Sequence, residues 1–255
     1  MNQSSLLTIM MAISSAFKRL KSIRCTDPQL TPENWCECQP CVTIKLASKD
    51  VVLTQPSSIL FVYLLGILTI GVGLSFWWLR GDQVSRLWWA ISLLLWGIGA
   101  LLAGTSYQAF GYQIKCTGQE TCAWTSWWEV MYLMLQQVSM DALLVAIAYS
   151  CTKGTLQMAL LGYALLIAAA YVILALVGGI IPVKTLITFE LMVWVSTPLF
   201  LIMLILSAWR YHALGMAMDL AFVGAWVLLL LTMMAYWLYD KLDITPKLWA
   251  KGKGI

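Results

Sequence analysis

Six long apolar runs, separated by short polar connections, fill the chain from residue 57 to residue 239. A helix needs about 20 apolar residues to cross the hydrocarbon core of a bilayer, and each run reaches that length. The pattern therefore predicts six transmembrane helices, over residues 57–79, 87–110, 127–150, 155–177, 185–208 and 219–239. The expected fold class is all-α, a polytopic transmembrane helix bundle with about six crossings. Residues 1–55 form an amino-terminal tail, 56–240 the bundle and 241–255 a basic tail.

The third run departs from the others because it carries Glu129, Gln136, Gln137, Ser139 and Asp141 within its apolar length. An ionisable group in hydrocarbon costs several kcal/mol unless it faces protein or water, so this run belongs inside the bundle. At about 100° per residue, Glu129, Tyr132, Gln136 and Ser139 share an arc of about 80°, with Gln137 and Asp141 on an adjacent flank. Interhelical hydrogen bonding that fixes the bundle explains the Gln and Ser residues; Glu129 is equally well read as a functional group.

The other runs add fewer polar positions. Thr69-Ile70-Gly71-Val72-Gly73 has the letters of a potassium filter but lies within one uninterrupted span, where small residues let helices approach. Trp88, Trp89 and Trp96 suit an aromatic belt. Polar residues gather at the end of the second run, from Gly104 to Tyr112. The fourth run is expected only to pack, turning at residues 178–182. The fifth brings Glu190 about two turns into the membrane and carries Pro198, whose freed carbonyl the hydroxyls of Ser196 and Thr197 can satisfy. His212, the single histidine, reads as interfacial.

With six crossings, both tails, the loop after the second helix and the turn after the fourth share one face, side A. Near that face lie Tyr107, Gln108, Glu129, Tyr132 and Glu190, candidates to bind a ligand or cation or to share a proton. Gln136 continues the arc inward, and Asp141 lies about 18 Å beyond Glu129 at a rise of about 1.5 Å per residue.

The tails and loops raise separate questions. The apolar LLTIMMAI is followed by Lys18, Arg19, Lys21 and Arg24, the reverse of a secretory signal. It reads as an interfacial helix on anionic lipid, or as a disordered basic tail. Cys25, Cys36, Cys38 and Cys41 could form disulfides, hold a metal, or stay as thiols. Cys116 and Cys122 are close enough in sequence for a local disulfide.

Composition fixes the broad class. The chain is 61% apolar and 11% charged, with 14 Trp, whereas soluble domains have about a quarter of their residues charged. The Lys and Arg residues lie in tails and at helix ends, which leaves no nucleic-acid footprint. Twelve of them fall on side A against four on the other face, side B. The positive-inside rule thus assigns the tails to the cytoplasm. Six of seven cysteines also fall on side A, which argues for an oxidising compartment there. The sequence contains no nucleophile with an adjacent base, no phosphate-binding glycine loop, no haem-type Cys-His pair and no late-helix retinal lysine. The functional reading is a non-enzymatic binding, sensor, transport or complex-subunit role with a polar intramembrane site.

The run WWAISLLLWGIGALLAGTSYQAFGYQIKC, with TSWWEV and the tail PKLWAKGKGI, resembles an uncharacterised family of bacterial multi-spanning proteins. That resemblance implies a bacterial plasma membrane and a further helix, containing a His, beyond Ile255. The arrangement also resembles by position the seven-helix superfamily of alkaline ceramidases and adipoQ-type receptors, which implies a membrane-embedded metal-dependent hydrolase as the alternative function. Gln108 stands where that superfamily has its helix-two His, Glu129 near its acid, and Gly104 in place of a Ser.

Overall fold

A computed structural model of the chain describes residues 30–46 and 49–241. The basic segment from Lys18 to Arg24, Cys25 and the tail beyond Lys241 lie outside the described residues, as does the side chain of Cys38. In chain order the elements are α1 (Trp35–Cys38), β1 (Cys41–Leu46), β2 (Lys49–Thr54), α2 (Pro56–Trp78), α3 (Val84–Ala103) continuing as a π-helical turn (Gly104–Ala109), α4 (Gly111–Lys115), α5 (Trp127–Cys151), α6 (Gly154–Ile180), a 3-10 turn (Lys184–Ile187), α7 (Phe189–Leu214) and α8 (Ala217–Lys241). Six of these helices, α2, α3 with its π turn, and α5 to α8, are long and apolar enough to cross a membrane. Within hydrocarbon every backbone polar group must be satisfied internally, which makes helices of these runs. The fold is an all-α polytopic bundle, to which an antiparallel hairpin of β1 and β2 is added before the first crossing.

Several helix ends differ from the sequence expectation. The fifth crossing begins at Phe189, not four residues earlier, because the Thr188 hydroxyl caps it by accepting from the Leu191 N–H at 3.2 Å. Glu190 therefore sits in the first turn and is exposed, rather than two turns into the membrane. The fourth crossing runs on to Ile180, so Gly178 is helical; a Cβ there would meet Leu186 at 2.6 Å, and the 3-10 turn packs against that gap. Pro198 lies inside α7 without ending it. The neighbouring hydroxyls do not serve the carbonyl it frees: Thr197 donates to the Val193 carbonyl at 2.7 Å, and Ser196 turns to α5. Gly215 ends α7 with a positive φ of 64°, its N–H bonded to the Tyr211 carbonyl at 2.7 Å.

The chain divides into two compact units, described in turn. The first comprises Met1–Ile70, Leu95–Gln136 and Ala169–Met192. Its extramembrane part is built on Trp35, which is buried with Cys116 and Cys122 against Leu30, Cys41 and Tyr112. The Trp35 indole N–H donates to Thr54 Oγ1 at 3.2 Å, tying α1 to β2. Disulfides join Cys36 to Cys41 and Cys116 to Cys122. The Cys122 N–H bonds to the Leu30 carbonyl and the Ala123 N–H to that of Lys115, so a cap too small for its own core is held by cross-links.

The second unit comprises Gly71–Leu94, Gln137–Ala168 and Val193–Ile255. Its core gathers Met140, Leu143 and Leu144 of α5, Leu160 and Ala164 of α6, Phe200 and Met203 of α7, and Trp226 of α8. Trp89 stacks on Phe222 with centroids 5.4 Å apart, and the Trp226 indole donates to Ser207 at 3.1 Å. Arg210 pairs with Asp219 at 3.3 Å and donates to the Ser150 carbonyl, linking the ends of α5, α7 and α8. Among the six spans α5 is by far the most enclosed: 67% of an 18-residue apolar stretch is buried, against 39% or less for each of the others.

Candidate functional site

In both units the polar arc of α5 is turned toward α3. In the first unit Gly99 opens space beside Gln136 and Tyr132, and Ser106 reaches Glu129. In the second, Ser92 and Ser139 exchange hydroxyl-to-carbonyl hydrogen bonds of 2.8 and 2.9 Å. Ser92, Gly99 and Ser106 recur every seven residues, so small side chains on one stripe of α3 meet the arc.

The side A site forms around Glu129. The sequence Ser126-Trp127-Trp128-Glu129 starts α5 as a capping-box pattern, and Ser126 Oγ accepts from the Glu129 N–H at 3.4 Å. The Glu129 carboxylate does not return to the cap. It pairs instead with the Lys115 ammonium and accepts hydrogen bonds from Ser106 at 2.8 Å and Thr125 at 3.0 Å. Ser106 and Ser126 also share a 2.6 Å hydrogen bond. The π turn, closed by a bond from the Phe110 N–H to the Thr105 carbonyl at 2.8 Å, aims Ser106 inward and leaves Tyr107 beside the pair. The Lys115 ammonium lies 4.9 Å from the Tyr107 ring centroid, and that ring meets Tyr132 edge-on at 6.2 Å. With Lys115 7% and Glu129 1% exposed, this is a buried, neutralised and hydrogen-bonded ion pair.

The structure thus joins Tyr107, Glu129 and Tyr132 of the expected side A group. It does not bring in Glu190, which is exposed at the start of α7. Gln108 is half-buried, and its carbonyl oxygen, like that of Gln136, makes no hydrogen bond among the described residues. Sequence reasoning missed Lys115, which entered only the count of side A charges, and the hydroxyls of Ser106, Thr125 and Ser126. The capping-box spacing before α5 was the available signal.

A second polar group lies in the other unit, on the flank of α5 that faces α7. Ser196 donates to the Gln137 carbonyl at 2.8 Å, and the Gln137 amide donates to Asp141 Oδ2 at 3.2 Å. Asp141 Oδ1 makes no hydrogen bond among the described residues. All three side chains are buried. Of the three acids buried among the described residues, Glu129 and Asp219 each face a cation, and Asp141 does not.

The metal centre implied by the ceramidase-like resemblance does not fit these residues. The Lys115 ammonium stands where a metal would approach Glu129, and the carboxylate oxygens are already engaged. Gln108 offers an amide where an imidazole is needed. The six spanning helices make the chain an integral, multi-pass membrane protein. Comparison with protein-family models, with curated proteins and with solved structures finds no match for it.

Proposed function

We propose that the chain is a non-enzymatic binding or transport module that takes a positively charged species into the bundle at Asp141. The contrast among the buried acids carries this reading. A carboxylate enclosed by apolar side chains needs a compensating positive charge or a proton; Glu129 and Asp219 have theirs within the chain. Asp141 has one amide donor and a second oxygen with no hydrogen bond among the described residues. Gln137, itself fixed by Ser196, holds the carboxylate in one orientation, as a binding group requires. The saturated Glu129 pair is the anchor of the cap rather than a reactive centre. The test is flux of protons and small cations into liposomes carrying the purified protein. Asp141→Asn should slow the flux at least tenfold, and Glu190→Gln should leave it unchanged. Absence of any flux from the unaltered protein, or equal rates in all three, rejects the reading.

We further propose that side A faces an oxidising compartment. Two disulfides on that side support it, since such bonds persist where thiols are not kept reduced. Lys115 is withdrawn into the ion pair. Arg210 is likewise paired with Asp219, which leaves Lys184 in the side A connections against Arg80, Arg86 and Lys153 in those of side B, a balance that favours a cytoplasmic side B.

A further inference from the structure

The geometry points to a proton as the species that Asp141 takes up and releases, an inference that rests on Asp141 being the binding group. Metal cations such as calcium are held by about six to eight oxygen ligands, and magnesium by about six. Among the described residues Asp141 has a single hydrogen-bond partner. On its own helix the nearest polar group is Gln137, which turns an N–H donor toward the carboxylate and would repel a cation. The Gln137 carbonyl is occupied by the Ser196 hydroxyl from α7. Asp141 is itself buried, and Met140 and Leu144 of its own helix belong to the apolar core of this unit. Among the described residues of α5, α6 and α7 in this unit the other titratable side chains are Tyr149, Cys151, Tyr163, Tyr211 and His212, while Arg210 of α7 and Asp219 of α8 are committed to each other. None of them hydrogen-bonds to Asp141. A proton needs one acceptor oxygen, and Oδ1, which makes no hydrogen bond among the described residues, is that oxygen. Uptake forms one O–H bond at Oδ1 and neutralises the carboxylate; release breaks that bond and returns the proton to water, with no redox change.

Two measurements on the full chain test this. In proteoliposomes containing a pH-sensitive dye, an imposed proton gradient should dissipate at least tenfold faster with the protein than with Asp141→Asn, while equal sodium, potassium or magnesium gradients produce no transport. Infrared difference spectra over a pH titration should show a protonated-carboxyl band that is absent in Asp141→Asn. Asp141→Glu, which keeps the carboxyl and serves as the folding control, should retain a shifted band. Sodium, potassium or magnesium transport that depends on Asp141, without proton movement, would overturn the proton while keeping Asp141 as the binding site. No response to protons or to any of these cations would overturn both. A band that never titrates, together with no proton movement, would assign Asp141 a fixed structural proton and overturn the inference.

Discussion

At the scale of single residues, the chemistry of this protein lies in how each buried charge is answered. Lys115 and Glu129 are both almost fully enclosed, so removing one partner leaves the other charged without compensation. Breaking a buried pair in this way typically costs about 3–5 kcal/mol, whereas replacing both members by neutral groups is often close to neutral. Lys115→Met should therefore destabilise the protein by several kcal/mol, and Lys115→Met with Glu129→Gln should recover most of the loss. A double-mutant cycle on denaturation in detergent measures this coupling; additive effects would mean that the pair is not closed in the membrane. The acid Glu129 was visible in the sequence as a costly charge in a helix-length run. Its partner was not, because Lys115 is brought to it by the fold of the intervening loop.

At the scale of elements, close helix approach and helix ends decide the geometry. A Cβ at Gly97 of α3 would sit 2.8 Å from the Gly66 carbonyl oxygen of α2 and 2.6 Å from Ile70, whereas a Cβ at Gly71 meets nothing within 4 Å. Gly97→Ala should cost about 1–3 kcal/mol through overpacking, and Gly71→Ala should leave the melting temperature almost unchanged. Equal shifts would show that α2 and α3 do not meet at Gly97. The TIGVG segment thus splits: Gly73 packs closely on Leu93 and Leu94, while Gly71 does not pack. With residues 127–151 helical, the period puts Glu129, Tyr132, Gln136 and Ser139 on one face. It could not say that α3 would answer this arc and α7 the flank of Gln137 and Asp141. A single threonine cap moved Glu190 from the membrane interior to an exposed first turn.

For the whole molecule, the disulfides bear on orientation. Protein taken unreduced from its native membrane and denatured should show at most three free thiols, because Cys36–Cys41 and Cys116–Cys122 remove four of the seven. Cys151, the free thiol among the described residues, should be one of them. Membrane-impermeant labelling of intact cells should miss a cysteine placed at Lys153 and modify one placed at Gly118. Seven free thiols, or the opposite labelling pattern, would return side A to the cytoplasm.

The class of protein, the number of spans and the helix that carries its polar groups are legible along the chain. Those properties follow from hydrophobicity and helical period, which act locally along the chain. Tertiary structure decided which charges are neutralised: Lys115 reaches Glu129 through a disulfide-closed loop and a π turn, and Arg210 reaches Asp219 across two helix ends. It also decided that Asp141 faces Gln137 with no cation beside it among the described residues. Compensation of a buried charge depends on what the fold brings within a few ångströms, and local periodicity carries no record of that distance.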